Sequence, residues 1–187
     1  TVNARTVDLG QGRVNVVYEI TEGSRTKIAS INFVGNSAYS ARRLRDVIST
    51  KRSNPLSWLT RNDVYDEGRL QADEETLRRF YYNRGYADFR VLSSNAVLNP
   101  STNEYDITVT VDEGQRYTFG NVSVESTVDG VDTQSLGHLV KTREGKPYSA
   151  KEIEDSVLAV TENVAGSGYA FAKVEPRGDR NFENRTI

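Results

Sequence analysis

The chain contains no cysteine and no methionine. The first absence removes disulfides, thiol nucleophiles, thiolate metal sites and iron–sulfur clusters together. The second means that Thr1 is not a translation start, so the sequence reads as a piece cut from a longer chain. Histidine and tryptophan occur once each, as His138 and Trp58. One imidazole, lying between Leu136 and Leu139, has no partners at the spacing that a zinc site or a hydrolytic triad requires. Long apolar runs are also missing: none approaches the ~20 residues of a membrane-spanning helix, and no signal-peptide pattern is present. Nor is there a basic excess, since 24 Lys and Arg stand against 26 Asp and Glu, a formal charge of -2. A general nucleic-acid binder needs such an excess to release counterions from phosphates. The local basic clusters (Arg42, Arg43 and Arg45; Lys51 and Arg52; Arg78 and Arg79) read as solvated helix faces.

What the sequence does have is an internal repeat. Val16–Arg25 lies over Ile107–Arg116 at an offset of 91, each reading as a strand and a Glu-Gly turn, and the match continues from Ile31 and Phe33 to Val122 and Val124. Apolar residues alternate on both sides of the turn, as half-buried strands require. Leu44, Val47 and Ile48 then match Leu136, Leu139 and Val140, the buried stripe of a short helix, with Ser40 and Asp132 as equivalent N-caps. Farther on, Tyr65-Asp66 matches Tyr148-Ser149, Leu77 matches Val160, and Gly85-Tyr86-Ala87 matches Gly168-Tyr169-Ala170, now at an offset of 83. Ile153, Val157, Val160 and Val164 follow helical steps, Ser149 and Glu152 form a capping-box pattern, and Gly85 and Gly168 supply left-handed C′ residues. The change in offset locates an insertion of about nine residues in the first copy, 53–61, which carries Trp58.

Each copy therefore predicts strand–helix–helix–strand–strand: an α+β fold in which a three-stranded mixed sheet is covered on one face by a helix pair. Strands are expected over 87–97 and 105–111 in the first copy, joined by a turn at 99–103, and over 171–176 in the second. The boundaries read as 1–23, the closing strand of a preceding unit; 24–114, a complete unit; and 115–187, a unit lacking its last strand. On this reading Val14–Ile20 is a strand without its domain, expected to pair with an exposed edge in a neighbouring molecule.

Val34-Gly35-Asn36 after the first strand, Arg84-Gly85-Tyr86-Ala87 after the second helix and Asp112-Glu113-Gly114 after the last strand together resemble the POTRA domain. Tyr81-Tyr82-Asn83-Arg84 and the Trp-bearing insertion are similar to the third POTRA domain of the BamA-type assembly factors, which makes the second copy resemble the fourth. The second copy departs from the pattern where Ser167 replaces the Arg before Gly-Tyr. The resemblance implies a periplasmic part of an outer-membrane protein, touching the membrane only through a barrel outside this sequence. It also implies the partners: unfolded outer-membrane proteins, accessory lipoproteins of the assembly complex such as BamB, and neighbouring POTRA domains. POTRA units also occur in related barrels such as TamA and in cell-division scaffolds, which stay open as alternatives.

The mechanism such an architecture offers is β-augmentation, in which an extended peptide adds to an unpaired strand edge through main-chain hydrogen bonds. The candidate edge is 87–97, with Phe89, Arg90, Val91, Leu92 and Ser93 at its centre. Trp58 is either an interface anchor or a cover for a helix end. Glu113, Gly114 and Gln115 form a short link and a candidate interdomain hinge. No enzyme chemistry, metal or cofactor is expected. Asp73-Glu74-Glu75 reads as a solvated helix face, because adjacent helical residues diverge. Gly166-Ser167-Gly168 follows a helix rather than the strand that phosphate loops need.

Overall fold

The computed structural model describes residues 2–8, 10–11, 13–20, 26–53 and 63–187; Trp58 lies outside them. The elements are strands β1 (Val2–Asp8), β2 (Val14–Ile20) and β3 (Lys27–Val34), helices α1 (Ala41–Val47) and α2 (Glu67–Tyr82), strands β4 (Arg90–Asn99) and β5 (Glu104–Asp112), and helices α3 (Thr133–Leu136) and α4 (Ala150–Gly166).

β2 is not an orphan. It pairs antiparallel with β1 over its whole length, from Val2 opposite Ile20 to Asp8 opposite Val14. Asn3, Arg5 and Thr6 interrupt the apolar pattern of β1, which is why alternation alone did not mark it as a strand. The premise for pairing with a neighbouring molecule, a strand with no partner, is thereby removed. One face of this hairpin leaves Val2, Val16, Tyr18 and Ile20 exposed.

In the first repeat α1 begins at its predicted cap, Ser40, and α2 at Asp66, the residue aligned with Ser149. The Ser40 hydroxyl accepts from the Arg43 amide at 3.3 Å and the Asp66 carboxylate from the Arg69 amide at 2.6 Å. Leu44 and Ile48 of the first helical stripe and Leu70, Leu77, Phe80 and Tyr81 of the second pack on Ile28, Ile31, Ile107, Val109 and Val111 of the sheet. The strand order is β3-β5-β4. β3 runs parallel to β5 and β4 antiparallel to it, so the last strand of the repeat is the central one. Asn103, at φ 54°, turns the hairpin, and its amide donates to the Asn99 carbonyl at 2.8 Å.

Two expectations need correction here. β4 begins at Arg90, not at residue 87: Ala87 and Asp88 form a turn that reverses the chain after α2, and the Phe89 amide donates to the Tyr86 carbonyl at 3.2 Å. Asp73 is not on a solvated face. Only 2% exposed, it accepts from the Ser49 and Thr50 amides at 2.6 and 2.9 Å, tying α2 to the end of α1.

The second repeat reproduces the helices, with Asp132 and Ser149 as N-caps and Gly168 at φ 100° after α4. Its strands differ from expectation. Neither 121–126 nor 171–180 forms a ladder, and only isolated bridges appear, Thr118 with Pro147 and Thr186, and Asn181 with Thr186. These reproduce the start of the first repeat's sheet. Thr118 and Thr186 pair in parallel as Lys27 and Glu104 do, Asn181 and Thr186 antiparallel as Asn99 and Glu104 do, and Arg185 has φ 53° where Asn103 has 54°. A strand is held by its neighbour's hydrogen bonds. Here the flanking segments meet residues 185–187, where Thr118 and Asn181 both pair with Thr186.

Candidate protein-binding site

Placing β5 in the centre gives the first sheet two edges, and the chain treats them differently. The β3 edge is covered. The Ile28 amide donates to the Asp63 carbonyl at 2.8 Å, the Ile28 carbonyl accepts from the Ser53 amide at 2.8 Å, and the Tyr65 amide donates to the Thr26 carbonyl at 3.0 Å. Farther along, the Arg45 guanidinium donates to the Ile31 carbonyl at 3.1 Å. Along the outer edge of β4, from Val91 to Leu98, no other described segment makes a hydrogen bond. β4 contains no proline and no lysine, two residues that commonly blunt an edge. Its irregularity is a bulge: the register shifts between Val91 and Ser93, and Leu92 pairs with no residue of β5.

The five residues singled out in the sequence divide over this geometry. Phe89 lies outside the strand, fully buried and stacked on Tyr81 with ring centroids 4.0 Å apart. Arg90 is exposed and pairs with Asp112 across the ladder at 2.6 Å. That bond and the Gly114 amide hold the Asp112 carboxyl below its usual range. Val91 turns toward the core, while Leu92 is 58% exposed. Ser93 continues the strand, and the exposed edge extends past it through Val97, where the predicted strand ends, to Leu98, one residue beyond. A concavity of about 500 Å³ opens where β4 begins, lined by Tyr82, Asp88, Arg90 and Gly114 among others.

The motif residues anchor this strand's surroundings. Glu113 follows β5, and its buried carboxylate accepts from the Ser37 amide at 2.9 Å, the Ala38 amide at 2.9 Å and the Tyr81 hydroxyl at 2.7 Å. Burial, then the bond to Glu113, raises the Tyr81 pKa far above its ordinary value. Gly35, at φ 88°, has no room for a side chain, because a Cβ would lie 2.1 Å from the Val111 carbonyl oxygen. Three motifs distant in sequence thus form one joint between the first loop, the second helix and the end of the central strand.

The residues proposed as a hinge sit in the same joint. Gly114, at φ 64°, packs so closely on Asp88 that a Cβ would come within 2.8 Å of the Asp88 Cβ; Gln115 is exposed. Immediately beyond, the Tyr117 amide donates to the Gly85 carbonyl at 2.7 Å and the Arg116 guanidinium to the Arg84 carbonyl at 3.1 Å. The Tyr117 hydroxyl donates to Asp88 at 2.7 Å, which raises its pKa, and Asp88 also pairs with Arg180. The Lys151 amide donates to the Asn83 side chain at 2.9 Å. The Asp88 turn, read as strand in the sequence, supplies two of these contacts, to Tyr117 and Arg180. Among the described residues there is no group of three or more acidic, His or Cys side chains placed to hold a metal, and no helix long and apolar enough to cross a membrane.

Comparison with known proteins agrees with this architecture. The POTRA family model, described as surface antigen variable number repeat, matches residues 26–114 and 117–187. The outer membrane protein assembly factor BamA of Neisseria meningitidis is 33% identical over 187 residues, all of this chain and 23% of that protein. The BamA of Neorickettsia risticii is 28% identical over 94% of the chain and 23% of its own length. The chain thus spans about a quarter of these relatives. Among solved structures, the Haemophilus influenzae BamA POTRA3-5 crystal structure shares the fold with a TM-score of 0.70 at 21% identity, covering 86% of this chain and 63% of that one. BamA from Haemophilus ducreyi lacking POTRA domains 1-3 has a TM-score of 0.64 at 17% identity, over 86% of this chain and 27% of that one. With the family model matching on both sides of the 115–116 link, this chain belongs to the POTRA family, as two of its domains in tandem behind the β1–β2 hairpin.

Proposed function

We propose that the chain is a periplasmic protein-binding scaffold of the outer-membrane β-barrel assembly machinery. Extended segments of unfolded outer-membrane proteins, and an accessory lipoprotein such as BamB, add to the first domain by pairing with β4. The observation that carries this reading is the asymmetry of the sheet: the β3 edge is closed by residues 53, 63–65 and Arg45, while among the described residues nothing covers the β4 edge from Val91 to Leu98. Main-chain pairing suits clients of varied sequence, since every residue but proline offers the same donor and acceptor, each bond adding about 0.5–1.5 kcal/mol net. Exposed Leu92, Val97 and Leu98 supply apolar contact beside the edge. The similarity to relatives named as outer-membrane assembly factors supports the setting. The role is that of a scaffold, with no catalytic step.

Leu92→Pro tests it. Because Leu92 pairs with no residue of β5, proline there interferes with an added strand while sparing the internal ladder. The expected outcome is at least a tenfold loss of affinity for an extended peptide taken from an outer-membrane strand, with the circular dichroism spectrum kept. Unchanged affinity in a folded variant contradicts the proposal.

A further inference from the structure

Two basic clusters separated in the sequence come together on the closed side of the first sheet. Arg42 and Arg45 of α1 and Lys51 and Arg52 of the segment after it line a cleft of about 470 Å³, with Asp46 as the one acidic lining residue. Among the described residues, none of the four cations makes an ion pair. Two are positioned by carbonyl groups instead: Arg45 by Ile31 at 3.1 Å, and Lys51 by Arg45 and Ile48 at 2.5 and 2.6 Å. Those bonds fix the side chains and leave their charge uncompensated. Arg42 and Arg52 are exposed. Thr50 also lines the cleft; it is 3% exposed and, among the described residues, its hydroxyl has no hydrogen-bond partner. The basic pair on α2 is different, since Arg78 and Arg79 both pair with Glu75.

We infer that this cleft is a second docking site, for a carboxylate-rich segment of a partner protein. Fixed, unpaired cations concentrated on a chain of net charge -2 form a local positive field that draws and orients acidic groups. Guanidinium groups match carboxylates through parallel N–H···O bonds, which makes arginine the residue for such recognition. The concave shape favours side chains that project from a polypeptide over a flat lipid headgroup surface. The site lies beside the edge that Arg45 closes, so it works independently of pairing at β4.

The test uses the full 187-residue chain and fluorescence anisotropy of a labelled peptide of alternating glutamate and serine, with the glutamine version as control. At low ionic strength, where surface attraction is least screened, the glutamate peptide binds and the glutamine peptide does not. Arg42→Gln with Arg52→Gln, both exposed and outside any internal bond, weakens binding at least tenfold, whereas Arg78→Gln with Arg79→Gln leaves it within twofold. Binding that survives the first pair of changes overturns the inference. So does failure of the acidic peptide combined with capture of phosphatidylglycerol vesicles through Arg42 and Arg52, which would assign the cleft to a lipid surface. Because Leu92→Pro leaves the cleft untouched, loss of the β4 site and loss of this one are separately readable.

Discussion

In the first repeat β5 runs for nine residues between β3 and β4; in the second, only residues 185–187 occupy the matching place beside Thr118. The helices, caps and C′ glycines are otherwise shared. With its central strand the first repeat gathers a core that includes Tyr81, Phe89, Ile107 and Val111, while the second buries Leu136, Val160 and Val164 and leaves Phe171 wholly exposed. In the first repeat the last strand organises the sheet, because both flanking strands hydrogen-bond to it and not to each other. The candidate edge, β4, belongs to the first repeat.

The comparison can be broken at Glu113, which secures the end of β5 in the first repeat. Glu113→Ala leaves the Ser37 and Ala38 amides and the Tyr81 hydroxyl without their acceptor. The expected cost is about 3–5 kcal/mol, read as an earlier urea transition by circular dichroism. Glu113→Gln, which keeps one acceptor oxygen, loses less.

A smaller effect sharpens the contrast at the paired glycines. Gly85 and Gly168 follow their helices at φ 103° and 100°, so alanine is strained at both. A Cβ at Gly85 would also meet the Arg116 Cγ at 2.7 Å and the Tyr117 carbonyl oxygen at 2.9 Å, while at Gly168 it meets nothing within 4 Å. Gly168→Ala should cost ~1 kcal/mol from backbone strain alone, and Gly85→Ala about 2–3 kcal/mol, because it also displaces the start of the second repeat. Equal costs would mean that the two domains do not rest on each other at Gly85.

Much of the fold was legible because it is local. The Ser40, Asp132 and Ser149 caps, the Leu44 and Val160 stripes, the alternation of Tyr105–Val111 and the turn at Asn103 each depend on a few neighbouring residues. What escaped depends on long-range placement. Periodicity cannot say that β5 lies between β3 and β4, nor that residues 53 and 63–65 cover one edge. Phe89 matches strand alternation as well as Val91 does, yet the chain must turn there to bring its ring onto Tyr81. Asp73 reads as a solvated acidic residue, and Glu113 as part of a motif and a link, until the amides that they accept from, in segments distant along the chain, are in view. The candidate edge was therefore visible as a strand, but its openness was not.

Residue-resolved hydrogen exchange, with and without a saturating extended peptide from an outer-membrane strand, tests the central claim most directly. The account predicts new protection between Val91 and Leu98 of β4, with the amides of β3 and of residues 117–126 unchanged. Protection that appears along β3 or in the second repeat, with β4 unaltered, would contradict it.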